Sequence, residues 1–337
     1  MESQTTIKRH FAKGIALLTL LFFGISPLAL AKKNDVKKLI TPTSVHAQLA
    51  FLASDALEGR FPGSQGGKAA GEYIIQHFRE WQIKPFFHET YCQHFEIDHY
   101  RHPFRKDDQE LPILKIRNIV GMIEGKNRDE YIIVGAHYDH LGVGTPVNGD
   151  SIYNGADDNA SGTVAVLQLA KAFAAQKQQP QRTILFALWD GEEEGLLGST
   201  NFVNSFADCS KIKAYVNFDM IGRNCLPTQP SYFVYFYTQA YPAFEKWMRN
   251  GVKKQALNLT PDYRAWDKPI GGSDNTPFAK KEVPIIWYHT DAQPDLHRPG
   301  DEVEKINIPK MTAIIQSAYY VVKQLSEAKT ISAEKKE

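Results

Sequence analysis

With 337 residues the chain can form one large domain or two ordinary ones, and its 43% hydrophobic residues are ample for a buried core, which excludes a disordered protein. Its 39 basic and 38 acidic residues give a formal charge of +1, so nothing in the charge points to nucleic acid or to an anionic membrane as a partner. Three cysteines without CxxC spacing argue against a metal–thiolate site and allow one disulfide after export.

The N-terminus has the pattern of a secretory signal peptide. Three basic residues within the first 13 positions precede an apolar run from Ile15 to Ile25, and Ala29-Leu30-Ala31 is a small-x-small cleavage site. The run is short for a membrane span, which disfavours an uncleaved anchor. We therefore expect residues 1–31 to be removed and the protein to be exported, periplasmic or secreted, without a stable membrane anchor. Cleavage changes the net charge from +1 to −1.

In chain order, apolar residues at helical spacing predict helices over residues 43–52 and 67–81. From Ile116 onward, short β-branched or aromatic runs alternate with helical segments. The predicted strands are 118–125, 131–136, 183–189, 214–218, 231–237 and 284–288, and the predicted later helices are 162–176 and 309–327. Such apolar runs are typical of strands buried on both faces. We expect an α/β fold with a mixed, mainly parallel central sheet and helices on both faces.

One domain over residues 32–328 is the expected organisation, followed by a disordered tail over residues 329–337. The tail is rich in lysine and glutamate and offers no apolar pattern for packing. No internal repeat divides the chain.

Histidine and acidic residues recur close behind the predicted strands. The residues that share this placement are His137, Asp158, Glu193, Asp219 and His297. In open α/β sheets the binding crevice lies outside the carboxyl ends of the strands. We therefore expect these residues, far apart in sequence, to meet at one site.

Each segment also has an ordinary interpretation. His137 and Asp139 can form a hydrogen-bonded turn, and the polar residues around Asp158 can cap a helix. The glutamates at 192–194 can form a solvated face, and Asp219 can be a turn residue. Capping, however, explains one polar residue better than four. Repelling carboxylates directly behind an apolar strand are understandable where cations neutralise them.

Two histidines and three carboxylates form a ligand set that suits zinc, since imidazole disfavours calcium and carboxylate disfavours copper. Five ligands with one bridging acid fit two ions, about 3.5 to 4 Å apart, which polarise a carbonyl and lower the pKa of a shared water. Where one of two adjacent glutamates is a ligand, its neighbour can act as general base. The residues therefore predict a site for two Zn²⁺ per chain.

The chain resembles the secreted bacterial di-zinc aminopeptidases, in a wider group that includes glutamate carboxypeptidase-like and glutaminyl cyclase-like proteins. The resemblance runs from about Leu52 to near Leu325. The segments that show it, in the family's order, are LASDALEGR, GAHYDHLG, NGADDNASG, DGEEEGLLGS, NFDMIG, GGSDNTPF and PDLHRPGDEVEKIN. As a set these segments are highly specific, and they imply a zinc exopeptidase-like fold.

The resemblance implies roles for the residues that match the family's segments. It implies that His137 is a metal ligand and that Asp158 bridges the two ions. Asp219 and His297 would complete the two coordination shells. Asp139 would hold His137 from behind, on the side away from the metal.

The same resemblance separates the three glutamates. In the family's register the ligand stands two residues before Gly195, which implies that Glu193 is a ligand and Glu192 the general base. Glu194 is then expected in solvent. Similar proteins often have a non-proline cis peptide after the bridging acid, so we expect one at Asp158-Asn159.

Two departures from the family are visible. Many relatives have a tyrosine before the last histidine, where its hydroxyl steadies the tetrahedral intermediate, but this chain has Leu296. The SDH of many relatives is SDN here, with Asn275 at the third position. Because the tyrosine hydroxyl is missing, oxyanion stabilisation is expected from the metals or another donor.

The stretch between Phe87 and Asn118 is too short for the protease-associated insert of some members.

The prediction that follows is a zinc-dependent aminopeptidase acting on peptides or aminoacyl substrates with a free N-terminus. The alternatives are a carboxypeptidase, a glutaminyl cyclase-like enzyme with one zinc, and a binding protein that has lost turnover. Asp301 is a candidate to orient His297. Trp266, Trp287 and Tyr288 are candidates for lining a side-chain pocket, with core packing the more ordinary interpretation.

Overall fold

A computed structural model describes residues 35–101, 111–176, 178–267 and 272–334. The predicted signal peptide over residues 1–31 lies outside them. The described residues belong to one compact unit that spans Asn34–Glu337. Within these ranges, every helix is too short or too polar to cross a membrane.

Helices occupy much of the described chain. Their bounds are α1 (Val36–Leu39), α2 (Pro42–Leu52), α3 (Gln65–Glu80), α4 (Gly162–Ala174), α5 (Leu197–Ser205), α6 (Ala243–Lys254), α7 (Asn275–Ala279) and α8 (Ile308–Glu327). Side-chain caps fix several starts. Thr41 and Ser44 exchange hydrogen bonds before α2, and the Asn307 side chain accepts from the Lys310 N–H at the start of α8. Short 3-10 turns cover Asp55–Arg60, Cys209–Lys211 and Val303–Lys305, and a π-type turn covers Ala156–Ser161.

The described strands have the following bounds: β1 (Lys84–Pro85), β2 (Cys92–Tyr100), β3 (Leu111–Ile123), β4 (Asn127–His137), β5 (Gly142–Val147), β6 (Asp150–Tyr153), β7 (Arg182–Trp189), β8 (Ile212–Phe218), β9 (Tyr232–Tyr237), β10 (Thr260–Ala265) and β11 (Ile285–His289). Nine of them form one sheet in the order β1-β3-β7-β4-β8-β11-β9-β10, with β2 also paired to β3. β5 and β6 form a separate hairpin.

The centre of the sheet is parallel. β7, β4, β8 and β11 run in the same direction, whereas β3 joins β7 and β9 joins β11 in antiparallel pairing. Alternate residues of the central strands feed two cores. The larger core includes residues of α2, α3, α4 and α8, and the smaller one includes residues of α5 and α7. The prediction of a mixed, mainly parallel sheet with helices on both faces is confirmed.

The central strands lie where the apolar runs predicted them, and the parallel arrangement places their carboxyl ends at one edge of the sheet. Residues 329–334, beyond α8, have no regular secondary structure. The Glu334 N–H donates to the carbonyl of Ala240 at 2.8 Å. The extent of a disordered tail stays a prediction.

Candidate metal centre

All five predicted ligands meet at this edge. His137 is the last residue of β4, and Asp219 directly follows β8. Glu193 lies in the turn after β7, and His297 lies in the loop after β11. Asp158 lies in the π-type turn that precedes α4. The peptide bond Asp158-Asn159 is cis, which confirms that expectation.

The first group of ligands is enclosed by the protein. The Nε2 atom of His137 lies 3.4 Å from Oδ1 of Asp158 and 3.6 Å from Oδ1 of Asp219. The His137 side chain is 1% exposed. We call these three residues the inner half-site.

The second group shares Asp158 with the first. The Nε2 atom of His297 lies 3.2 Å from the other oxygen of Asp158, Oδ2, and 3.2 Å from Oε2 of Glu193. The side chain of His297 is 51% exposed, whereas that of Glu193 is 4% exposed. We call His297, Asp158 and Glu193 the outer half-site.

These distances provide a test of whether zinc fits. Zinc binds nitrogen and oxygen at about 2.0 to 2.1 Å, so two ligands of a tetrahedral ion lie about 3.3 Å apart. All four distances between ligand atoms agree with this value to within a few tenths of an ångström. Among the described residues, Oδ1 of Asp219 is also buried without a hydrogen-bond partner, which is costly unless a cation approaches it. The donor atoms and their spacing therefore fit zinc, and Asp158 belongs to both groups of residues.

The charges of the ligands are strongly coupled. Burial opposes ionisation of Asp158, but hydrogen bonds from His137 and His297 outweigh it and hold the pKa of Asp158 well below its usual range. Hydrogen bonds to Asp158 and Glu193 raise the pKa of His297 to about 11. In the absence of metal, the histidine charges thus compensate the carboxylates, and binding of metal requires these protons to leave.

Glu192, the predicted base, lies at the boundary between the two half-sites. One of its carboxylate oxygens is within 4.8 Å of ligand atoms of His137 and Glu193. Burial raises the pKa of Glu192 well above its usual range, and the negative charges of Glu193 and Asp274 add to the shift against the opposing effect of His137. A carboxylate with this environment is suited to accept a proton.

Asp139 contacts His137 differently from the expectation. The Nδ1 atom of His137 lies 3.3 Å from the main-chain carbonyl of Asp139 and 3.6 Å from its carboxylate. The carboxylate instead accepts the backbone N–H groups of Glu192 and Glu193 at 3.1 and 3.3 Å. Asp139 therefore connects the first histidine to the turn that contains the base and a ligand.

Two further acids connect the ligand loops. Oδ2 of Asp301 accepts the N–H groups of Asp157 and Asp158 at 2.9 and 3.0 Å. Oδ1 of Asp157 accepts the N–H groups of Gly222 and Arg223, in the loop after Asp219. Asp301 was a candidate to orient or shield His297, and the hydrogen bonds described for it go to the loop that contains Asp158.

Arg60 holds the loops around Asp139 and Asp158 through hydrogen bonds to main-chain carbonyl groups. Its side chain is almost fully buried and donates to the carbonyls of Leu52, Tyr138, Asn154 and Gly155 at 2.5 to 3.1 Å. Burial lowers the pKa of Arg60 to about 10, although Asp139 and Asp158 counter the shift. Arg60 is the last residue of LASDALEGR, one of the segments of the family resemblance, and no role was predicted for it.

His140 and Asp274 also lie at the site and were not predicted. His140 is buried, and its Nδ1 atom lies 2.6 Å from Oε1 of Glu193. Asp274 is buried near His137, Asp139 and Asp219, which influence its pKa. Both residues stand in segments of the family resemblance, GAHYDHLG and GGSDNTPF, which was the available signal.

Another expectation needs correction. Glu194 is 2% exposed, not in solvent, and the Tyr100 hydroxyl at the end of β2 donates to its main-chain carbonyl. Tyr288 is fully buried between Phe218 and Phe233 in the larger core, in agreement with the core interpretation.

Trp266 and Trp287 are each 8% exposed, as expected of residues that are mainly core. No disulfide joins the three cysteines, all of which are among the described residues.

The chain matches the model of Peptidase family M28 over residues 118–322. It is 30% identical over 226 residues to leucine aminopeptidase 2 of Trichophyton rubrum, a match that covers 56% of this chain and 41% of that protein. It is 32% identical over 208 residues to a glutamate carboxypeptidase 2 homolog of Caenorhabditis briggsae, covering 53% of this chain and 25% of that protein. The chain thus spans well under half the length of these curated relatives.

Among solved structures, the aminopeptidase from Aneurinibacillus sp. strain AM-1 superposes with a TM-score of 0.68 at 15% identity, over 90% of this chain and 98% of that one. At this identity the likeness concerns the fold alone.

Proposed function

The chain belongs to peptidase family M28, and on that premise we propose that it is a zinc-dependent aminopeptidase that hydrolyses the first peptide bond of peptides. Glu192 is the proposed general base. Two zinc ions per chain are proposed to bind to His137, Asp158, Glu193, Asp219 and His297.

One observation supports the two-metal proposal above all others. The two oxygens of Asp158 face two different histidines, and each histidine has its own second carboxylate. His137 and Asp219 would hold one zinc on one side of Asp158, and His297 and Glu193 would hold a second zinc on the other side, whereas a single zinc would not need both groups.

Zinc in these two places supplies Lewis-acid polarisation of the scissile carbonyl and lowers the pKa of the attacking water. Glu192 accepts the proton of that water and passes it to the leaving amine. Its position is fixed by the hydrogen bond from its backbone N–H to Asp139. The free amino group of the substrate is a cation, so the surrounding carboxylates attract it.

A panel of aminoacyl p-nitroanilides tests the activity, with zinc content measured on the same samples. We expect turnover of free-amine substrates, about two zincs per chain, and a loss of about 10²- to 10⁴-fold in kcat for Glu192→Gln, because the base is removed. Zinc content should stay unchanged in this variant. Glu304→Gln, at an exposed glutamate outside the site, is the matched control.

The alternative functions predict different results in the same assay. A carboxypeptidase would cleave N-blocked peptides with a free carboxylate, and a cyclase would act on N-terminal glutamine while binding one zinc. Zinc binding without any turnover would favour a binding protein. Each of these outcomes would contradict the aminopeptidase proposal.

We also propose that the protein is exported after cleavage behind Ala31. N-terminal sequencing of protein from periplasmic and extracellular fractions checks this, and a chain that retains Met1 would contradict it.

A further inference from the structure

His140 is a buried imidazole at the metal centre that the proposed mechanism does not use. It lies three residues after His137 and is 0% exposed. Its ring packs over Gly155, where a Cβ atom would come within 2.5 Å of it. The only atom of the metal centre that it reaches at hydrogen-bond distance, among the described residues, is Oε1 of Glu193 at 2.6 Å.

This distance shows which kind of contact His140 makes. Two ligands of one zinc ion lie about 3.3 Å apart, whereas charge-assisted N–H···O hydrogen bonds are about 2.7 to 2.9 Å long. The value for His140 and Glu193 is close to the hydrogen bond and far from the ligand pair. Because a carboxylate accepts, Nδ1 of His140 is the donor.

The two carboxylate oxygens of Glu193 therefore have different partners. Oε1 is occupied by His140, and Oε2 is left facing His297 at 3.2 Å. Burial and repulsion from Asp158 disfavour the charge of Glu193, but His140 and His297 outweigh them and lower its pKa to about 2.

The outer half-site depends on such support more than the inner one does. His137 is enclosed and backed by Asp139, whereas the side chain of His297 is half exposed. Glu193 is therefore the most firmly placed ligand that belongs to the outer half-site alone.

We propose that His140 is a positioning residue that fixes the carboxylate of Glu193 and thereby sets the metal affinity of the outer half-site, without affecting the inner one. This inference rests on the proposed two-metal function. Hydrogen bonds of this kind to a ligand typically change metal affinity by about 10- to 100-fold.

The test is stepwise binding of zinc to the metal-free full chain in competition with a chromophoric chelator. His140→Leu keeps most of the volume and removes the donor. We expect one binding step to weaken by about 10- to 100-fold and the other to remain within about threefold. His140→Asn places an amide N–H where Nδ1 stands and should restore most of the affinity. His46→Leu, at an exposed histidine of α2, is the control.

A second comparison covers the case in which His140→Leu does not fold. His140→Gln places its amide nitrogen where Nε2 stands, so it should show the same one-step loss relative to His140→Asn. Asp219→Asn removes a proposed ligand of the inner half-site, so one zinc-binding step should remain in this background. That remaining step should be the one that the His140 substitution weakens.

Equal weakening of both steps, or no weakening, would overturn the role of His140 while two zincs in the wild type still support the proposed function. A wild-type chain that binds one zinc would overturn both.

Discussion

Asp274 is a carboxyl group in an unusual environment beside the metal centre. It is fully buried at the start of α7. Burial raises the pKa of Asp274 from 3.8 to about 7, and Asp139 and Asp219 add to the shift against the effects of His137 and the Ser199 hydroxyl. Its charge is therefore unfavourable until cations bind nearby.

The raised pKa predicts a pH-dependent effect of Asp274→Asn. Because the folded chain holds this proton more tightly than the unfolded chain, the charged carboxyl costs stability as pH rises from about 4 to about 7. In metal-free protein at pH 8, the variant should be more stable by up to about 4 kcal/mol, and the gain should shrink toward pH 5. Urea unfolding at both pH values measures it.

With zinc bound, the wild type should be more stable than Asp274→Asn, because a nearby cation favours the charged carboxylate. A stability difference that is the same at pH 5 and pH 8, or unchanged by zinc, would contradict the interpretation.

The five residues that meet at the candidate metal centre were predictable from the sequence, whereas most of the residues that support them were not. Each ligand follows a buried strand or opens a helix, and parallel strands bring such positions together. Asp301 and Asp157 act through backbone groups of other loops, and such contacts depend on how those loops pack. A sequence pattern holds no information about these partners.

At the scale of elements, Arg60 connects the segment that precedes the sheet to the loops that contain Asp139 and Asp158. This residue lies outside the part of the chain that matches the family model, yet it contacts the loops of both Asp139 and Asp158. One guanidinium satisfies carbonyl groups from three separate stretches of chain.

Arg60→Lys should therefore destabilise the fold although it keeps the charge. An ammonium group cannot reach all four carbonyls, and each buried acceptor left without a donor costs about 1 to 3 kcal/mol. We expect a loss of about 2 to 4 kcal/mol in the free energy of unfolding, measured with urea. Arg128→Lys, at a residue whose side chain is 74% exposed, is the control. A loss below about 1 kcal/mol would mean that the carbonyls find water instead.

The apolar pattern did not predict several strands at the edges of the sheet and in the β5–β6 hairpin, and one physical reason explains this. β10 and β2 lie at the edges of the sheet, and β5 and β6 form a hairpin largely in solvent. Such strands lack the continuous apolar run of a strand buried on both faces. β5 also contains two glycines and a proline, which are typical of turns.

At the scale of the whole molecule, the candidate metal centre joins five segments that come from distant parts of the chain. In the absence of metal, these segments hold several carboxylates at short distance, and protonated histidines and the guanidinium of Arg60 compensate them. Metal binding should therefore contribute to the stability of the entire fold.

Removal of zinc should lower the melting temperature. At a free zinc concentration of about 100 times Kd, each proposed site contributes about 2.7 kcal/mol to stability, and for a chain of 337 residues each kcal/mol corresponds to about 1.5 °C. An excess of chelator should thus lower the melting temperature by about 8 °C if both sites are filled, and added zinc should restore it. Calorimetry with and without chelator measures the shift; an unchanged melting temperature would show that the loops are held without metal.

The unequal enclosure of the two histidines has a kinetic consequence. The side chain of His137 is 1% exposed, whereas that of His297 is 51% exposed and borders solvent. Ions in the two half-sites should then exchange with solution at different rates, the outer one faster. Brief chelation followed by cobalt would give a mixed-metal enzyme, with a visible chromophore confined to the side of the site that faces the solvent.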